Sequence, residues 1–267
     1  MSEDPDDGGR APPADARRDE IGRRLEVADG LLCCLDFDGT LAEISEDPEG
    51  VEPLPACEAA VADLSEQSGT RVAVISGRAL ADVRGRVGVE GIWYAGNHGL
   101  EIHRDGETVV HPDAEERRSA VQSVCSAVSD RLADEPGCWV EEKGVTATVH
   151  YREAPAGAGE RVEAAVRSAV RSVGDGLELT DAKEAVEIRP AVDRGKDDAV
   201  EEFRERVADG YLPMYVGDDT TDESAFEAVA DDGVGVHVGD GRDTAATHRL
   251  SDPPAVAEFL EWLAESP

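Results

Sequence analysis

Residues 31–41 read Leu-Leu-Cys-Cys-Leu-Asp36-Phe-Asp38-Gly39-Thr40-Leu41: an apolar run ends in two carboxylates one residue apart, a glycine and a hydroxyl. Residues 213–223 repeat the design, with Pro-Met-Tyr-Val followed by Gly217-Asp218-Asp219-Thr-Thr-Asp222-Glu223. Two buried strands that each end in acids point to one site at the carboxyl edge of a parallel sheet, where open α/β folds place their ligands. Carboxylates crowded there repel one another and take up protons unless a hard cation sits between them. An all-oxygen ligand set of Asp36, Asp38, Asp218 and Asp219 selects Mg²⁺ over a softer metal. The chemistry this predicts is Mg²⁺-assisted phosphoryl transfer with a carboxylate as nucleophile.

Asp36, where the strand ends, is placed to attack phosphorus in line, and Asp38 to protonate the leaving alkoxide and then deprotonate water. Gly39 allows a tight reversal, and Thr40 offers hydroxyl and amide hydrogens to phosphoryl oxygens. Ser76 and Gly77, after an apolar run at 71–75, reach the same edge as phosphate contacts, although a serine there also caps a helix. A cation must offset the phosphoryl charge, and Asp193-Arg194-Gly195-Lys196 supplies two candidates, Arg194 and Lys196.

The elements that must position these groups alternate β and α from residue 31. Strands are expected at 31–37, 71–75 and 92–95 and helices at 55–67 and 78–87, followed by a turn at Gly96-Asn97-His98-Gly99 and a hairpin around residues 104–107. The character then changes. A helix over 113–134, strands at 138–142 and 145–151, a helix over 160–173 and strands at 177–180 and 184–189 form two αββ units. These read as an α+β module inserted into the parallel fold. From 195 the first pattern resumes, with helices at 195–208, 221–230 and 253–264 and strands at 213–216, 234–238 and 247–250. The expected domains are a flexible acidic arm over 1–29, a core over 30–112 and 192–267, and a cap over 113–191. Within the cap, Glu141 and Lys143 share one strand face, as do His150 and Arg152. With Glu187, that wet face carries donors and acceptors suited to a polyhydroxylated substrate.

The 267 residues include 60 Asp and Glu against 26 Lys and Arg, a formal net charge of −34. Such a surface repels nucleic acid and anionic membranes. Acid excess with only three lysines (143, 183 and 196) resembles proteins of salt-accumulating halophiles, in which counterions screen the repulsion. Five cysteines without metal-type spacing read as free thiols of a reducing compartment. No apolar run approaches the ~20 residues of a membrane span, and the N-terminus has no apolar signal core. A cytoplasmic monomer acting on a small molecule is expected.

Together, Asp36-Phe-Asp-Gly-Thr-Leu, Ser76-Gly-Arg, Gly96-Asn-His-Gly and Gly217-Asp-Asp-Thr-Thr-Asp-Glu resemble the motifs of the haloacid dehalogenase (HAD) superfamily. More narrowly, with Glu141-Glu-Lys-Gly-Val-Thr-Ala-Thr-Val-His-Tyr-Arg152 and Val186-Glu-Ile-Arg-Pro190, the chain resembles the trehalose-6-phosphate phosphatase family over about residues 30–265. The resemblance implies an α/β fold, a Rossmann-like core with a parallel sheet plus an inserted, mobile α+β cap of type C2. It implies Asp36 as nucleophile, Asp38 as acid/base, and Mg²⁺ held by Asp36, Asp218 and the Asp38 carbonyl. Glu141, Lys143 and Glu187 would contact sugar hydroxyls, and Asn97, His98, His150 and Arg152 complete the expected substrate-binding set. The family's Asp-Lys-Gly reads Asp193-Arg194-Gly195 here, so Arg194 or a displaced Lys196 would meet the phosphate. The alternatives are a phosphatase for sucrose phosphate or mannosylglycerate phosphate, or a non-catalytic sugar-phosphate sensor. A mutase is disfavoured because only the short loop 42–54 follows the first motif, with the insertion after Ser76.

Overall fold

The computed structural model describes residues 11–45, 49–182, 184–240 and 242–266. Two compact units separate: Met1–Thr108 with Arg194–Pro267, and Val109–Asp193. The sequence places the insertion at 113–191, so the division falls a few residues outside it on each side.

The first unit is built on an eight-stranded sheet. Its strands are β1 (Gly30–Leu35), β2 (Thr70–Ile75), β3 (Trp93–Gly96), β4 (Glu101–Arg104), β5 (Glu107–Val110), and, after the second unit, β10 (Tyr211–Gly217), β11 (Val234–Val238) and β12 (His248–Leu250). Their order is β12-β11-β10-β1-β2-β3-β4-β5. The first six in that order run parallel, and β4 turns antiparallel against β3. β1 is central and buried on both sides, which explains its unbroken apolar run. Leu31, Cys33 and Leu35 pack on one face with helices α1 (Arg18–Val27), α2 (Pro55–Ser65), α3 (Leu80–Val87) and α8 (Pro253–Glu265). Leu32 and Cys34 pack on the other with α6 (Lys196–Arg204) and α7 (Glu223–Val229). A glycine in the left-handed region, Gly88 at φ 65°, ends α3 where a side chain would be strained.

The expected arm over 1–29 needs correction. Its first ten residues lie outside the described ones, but 11–29 are ordered. The backbone at Pro12–Ala14 bonds along β12, with Ala14 N donating to Arg249 O at 2.8 Å and Arg249 N to Pro12 O at 3.0 Å. Helix α1 follows, with Ile21 fully buried and Arg24 donating to the carbonyls of Gly233 and Asp232, both at 2.8 Å. This segment pairs with the strand at one end of the sheet, whose backbone groups are otherwise open to another chain.

The second unit is a four-stranded sheet, β6-β7-β9-β8, antiparallel throughout. Its strands are β6 (Trp139–Glu142), β7 (Ala147–His150), β8 (Leu177–Ala182) and β9 (Ala185–Pro190), with helices α4 (Pro112–Leu132) and α5 (Ala158–Val173). Ala147, Val149, Val186 and Ile188 face the helices and pack on Val124, Val128, Val162 and Val166. Alternation then sends Trp139, Glu141, Thr148, His150 and Glu187 to the opposite, polar face. No helix among the described residues is long and apolar enough to cross a membrane.

Candidate active site

Asp36 leaves the end of β1 with its backbone N–H still bonded to Val216 O of β10, at 2.8 Å. That bond fixes the carboxylate at the sheet edge, where its residue is only 4% exposed. The chain then reverses at Gly39 with φ 77°, and a Cβ there would collide with the Asp218 carboxylate. Glycine is required on both counts.

Lys196, the first residue of α6, lies at the centre of the cluster. Its Nζ donates to Asp36 Oδ1 at 2.7 Å and to Asp222 Oδ1 at 2.6 Å, and all three residues are buried. Tyr215 Oη donates to the same Asp222 oxygen at 2.6 Å, while the Asp219 N–H donates to Asp222 Oδ2 at 2.8 Å. One oxygen from each of Asp36, Asp218 and Asp222 lies within 4.8 Å of the others, an arrangement that could hold a metal ion. The oxygens of Asp222 are engaged by three donors and Asp36 Oδ1 by Lys196, so a hard cation would draw on Asp218 and the second oxygen of Asp36.

The electrostatics agree. Burial pushes Asp36 well above the ordinary carboxylate range, against the pull of Lys196 and with the help of Asp222 and Asp218. Asp218 is pushed up to about 7 by burial and by the charges of Asp222 and Asp219. Burial pulls Lys196 down, but Asp36 and Asp222 outweigh it and leave the ammonium above the usual lysine value. Two carboxylates that resist ionisation beside a fixed ammonium form a site that gains from a divalent cation.

Around this centre, Arg78 donates from Nε to Asp38 Oδ2 at 2.8 Å and from Nη2 to Asp38 Oδ1 at 2.6 Å. Ser76 is 1% exposed, and its Oγ accepts the Arg78 N–H at 3.1 Å, which holds the 76–78 turn; the N-cap of α3 is Ala79, so the helix-capping reading of Ser76 is not met. Thr40 is wholly buried, and its Oγ1 lacks a partner. A Cβ on Gly77 would lie 2.6 Å from His98 Nε2, so only glycine lets that imidazole lie against the 76–78 loop. His98 and Asn97 both adopt positive φ, 56° and 50°. Such backbone costs about 1–3 kcal/mol per residue. Here it is held by Asn97 N to Arg78 O at 2.7 Å and His98 N to Ser76 O at 3.0 Å.

In the second unit, Glu141, Thr148 and Glu187 are paired in one row across three strands. His150 Nε2 meets Glu141 Oε2 at 2.9 Å, and Lys143 Nζ lies 3.8 Å from that oxygen. Burial raises the Glu187 carboxyl, opposed by Lys143 and Arg189. Trp139 stacks on His150 with ring centroids 4.0 Å apart.

Residues 34–254 match the family model described as trehalose-phosphatase. The chain belongs to the trehalose-phosphatase family. It is 40% identical over 240 residues to a trehalose-phosphate phosphatase of Mycobacterium marinum, covering 86% of this chain and 60% of that protein. It therefore spans less than two thirds of that relative's length. The fold is similar to that of the C-terminal domain of Candida albicans trehalose-6-phosphate phosphatase, at TM-score 0.77 and 22% identity, over 96% of this chain and 99% of that one. It is also similar to a phosphatase of the haloalkanoate (HAD) superfamily from Bacteroides thetaiotaomicron, at TM-score 0.55 and 17% identity, over 88% of this chain and 95% of that one. The fold is that superfamily's Rossmann-like core with an α/β insertion.

Within that frame, several expected site residues are placed differently. Arg194 donates to Gly99 O and to Glu202, both at 2.6 Å, and it is Lys196 that meets Asp36. Asp219 is exposed, and its Oδ1 caps the turn at Thr220 N, 2.6 Å away, so the third acid of the cluster is Asp222. Asn97 is fully buried, and its amide donates to Glu101 within the loop. Arg152 pairs with Glu184 at 3.2 Å. Sequence reasoning missed the roles of Arg78, Asp222, Tyr215 and Trp139. Only Trp139 carried a usable signal, since it stands two residues before Glu141 and so shares its face.

Proposed function

We propose that this chain hydrolyses trehalose 6-phosphate to trehalose and phosphate through an aspartyl-phosphate on Asp36. The observation that carries the reading is the buried ammonium of Lys196 at 2.7 Å from Asp36 and 2.6 Å from Asp222, beside the Asp218 carboxylate. A lysine so fixed can stabilise charge on a transferring phosphoryl group. Asp36 attacks phosphorus and the P–O bond to the sugar breaks. Asp38, once protonated, gives that proton to the departing alkoxide; the Arg78 fork fits the carboxylate that this leaves, which is the base of the second step. Asp38 then takes a proton from water, whose oxygen attacks the same phosphorus and releases Asp36.

Mg²⁺ held by Asp36, Asp218 and the Asp38 carbonyl would supply charge neutralisation on the phosphoryl oxygens. The all-carboxylate donor set and the raised Asp218 fit that ion. The partnerless Thr40 Oγ1 and the Ser76–Gly77 loop suit phosphate binding. Glu141, Lys143 and Glu187, with His150, would read sugar hydroxyls from the polar face of the second unit.

The test is phosphate release from a panel containing trehalose 6-phosphate, sucrose 6-phosphate and mannosylglycerate phosphate, with Mg²⁺ or with EDTA. Preferred, Mg²⁺-dependent release from trehalose 6-phosphate is expected. Preference for another member would reassign the substrate, and binding without release would make the chain a sensor.

A further inference from the structure

Tyr215 stands in the middle of β10, paired in register with Cys34 on β1 and Gly235 on β11. Its ring is among the largest fully buried side chains and meets Phe226 edge-on, with centroids 5.5 Å apart and planes at 78°. Phenylalanine would fill that space equally well. A buried hydroxyl is costly unless it is bonded, and this one has a partner: Asp222 Oδ1, at 2.6 Å. The same oxygen takes the Lys196 ammonium at 2.6 Å.

We propose that Tyr215 is a positioning residue for phosphoryl transfer, acting through Asp222 on Lys196. The inference rests on Asp36 being the nucleophile of the proposed reaction. An ammonium has three N–H donors. Two of those of Lys196 are directed at Asp36 Oδ1 and Asp222 Oδ1. With two directions set, tetrahedral geometry sets the third, the one that meets a phosphoryl oxygen. Asp222 is the anchor of that orientation, so whatever fixes Asp222 aims the lysine. Its Oδ2 is held by the Asp219 N–H of the same loop. Among the described residues, Tyr215 alone holds Oδ1 from a strand of the sheet, the element least free to move. Without the hydroxyl, the Asp222 carboxylate turns toward Lys196 and draws the ammonium off Asp36.

The test is Tyr215→Phe, assayed on p-nitrophenyl phosphate so that it does not depend on which sugar phosphate is the substrate. The expected result is a fall in kcat of about tenfold or more with KM nearly unchanged, because the aim of Lys196 matters most in the transition state. Inhibition by orthovanadate, which mimics the pentacoordinate phosphorus, should weaken by a similar factor, while the Mg²⁺ concentration for half-activation stays put. In an Asp222→Asn background the same Tyr215→Phe change should cost little more, since the path through Asp222 is already broken. Placing 4-aminophenylalanine at 215 restores a donor and should recover most of the lost kcat. A lowered melting temperature with kcat and vanadate inhibition within twofold of the parent would make the hydroxyl a structural partner only and overturn the proposal. So would losses that multiply fully in the double variant.

Discussion

Arg78 grips both carboxylate oxygens of Asp38, Nε on Oδ2 at 2.8 Å and Nη2 on Oδ1 at 2.6 Å, with its side chain only 13% exposed. Its Nη1 also reaches Asp82 at 3.1 Å, and its guanidinium lies over the Phe37 ring. The fork fixes the plane of the acid/base carboxylate as a single contact could not.

Arg78→Lys keeps the charge and loses the fork. We expect turnover of trehalose 6-phosphate to fall by about 10²-fold, within the range that general acid catalysis supplies. Hydrolysis of p-nitrophenyl phosphate, whose leaving group needs no proton, should fall less. Equal losses on the two esters, measured side by side, would make Arg78 a support of the loop alone.

In the second unit, Lys143→Ala or Glu187→Ala should lower kcat/KM on trehalose 6-phosphate at least tenfold and change p-nitrophenyl phosphate hydrolysis little. An unmatched buried polar group costs ~1–3 kcal/mol. Burial raises the Glu187 carboxyl against the pull of Lys143 and Arg189, so the group sits in a desolvated place. No loss on either substrate would return this face to solvent duty.

The two buried histidines should make acid less favourable to the first unit. Burial holds His237 and His248 below the ordinary histidine value; Arg242 adds to this at His237, while at His248 Glu20 opposes it and Arg17 adds to it. Below pH ~6.5 the unfolded chain then binds protons that these histidines resist in the folded one, so their contribution to stability is lost as pH falls. Asp36 and Asp218, raised in the folded state, work in the other direction. Relative to the parent, His248→Gln should therefore shift the change in melting temperature between pH 7.5 and 5.5 toward stabilisation. The same change in that variant as in the parent would remove His248 from the acid response.

Salt should matter for the opposite reason. With a formal net charge of −34, lowering KCl lengthens the Debye screening distance from ~3 Å at 1 M to ~30 Å at 0.01 M. Neighbouring carboxylates then repel across the surface, and compactness should fall. A thermal midpoint that does not move over that range would remove the halophile reading.

Much of this molecule is written in its residue pattern. Strands β1 and β10 are legible because both are apolar throughout and both stop at acids. The two αββ units are legible because their apolar positions change period from 3.6 to 2. Helix α1 is not, since Arg-Asp-Glu-Ile-Gly-Arg-Arg-Leu-Glu-Val has few apolar positions and is held by Arg24 on distant carbonyls. The choice between Arg194 and Lys196 is equally hidden. They are two residues apart at a helix start, where each step turns the side chain by about 100°. Asp222 displaces Asp219 from the cluster because a single 3-10 turn, Thr220–Asp222, brings it back beneath β10. That geometry has no trace in a row of acids.

The central claim is covalent transfer to Asp36. Acid-quenching the enzyme during turnover and mapping phosphate by peptide mass spectrometry reads it directly. Phosphate on the Asp36 peptide in the parent, together with no label and no turnover in Asp36→Asn, is the predicted result. Near-parental turnover in purified Asp36→Asn would contradict the account.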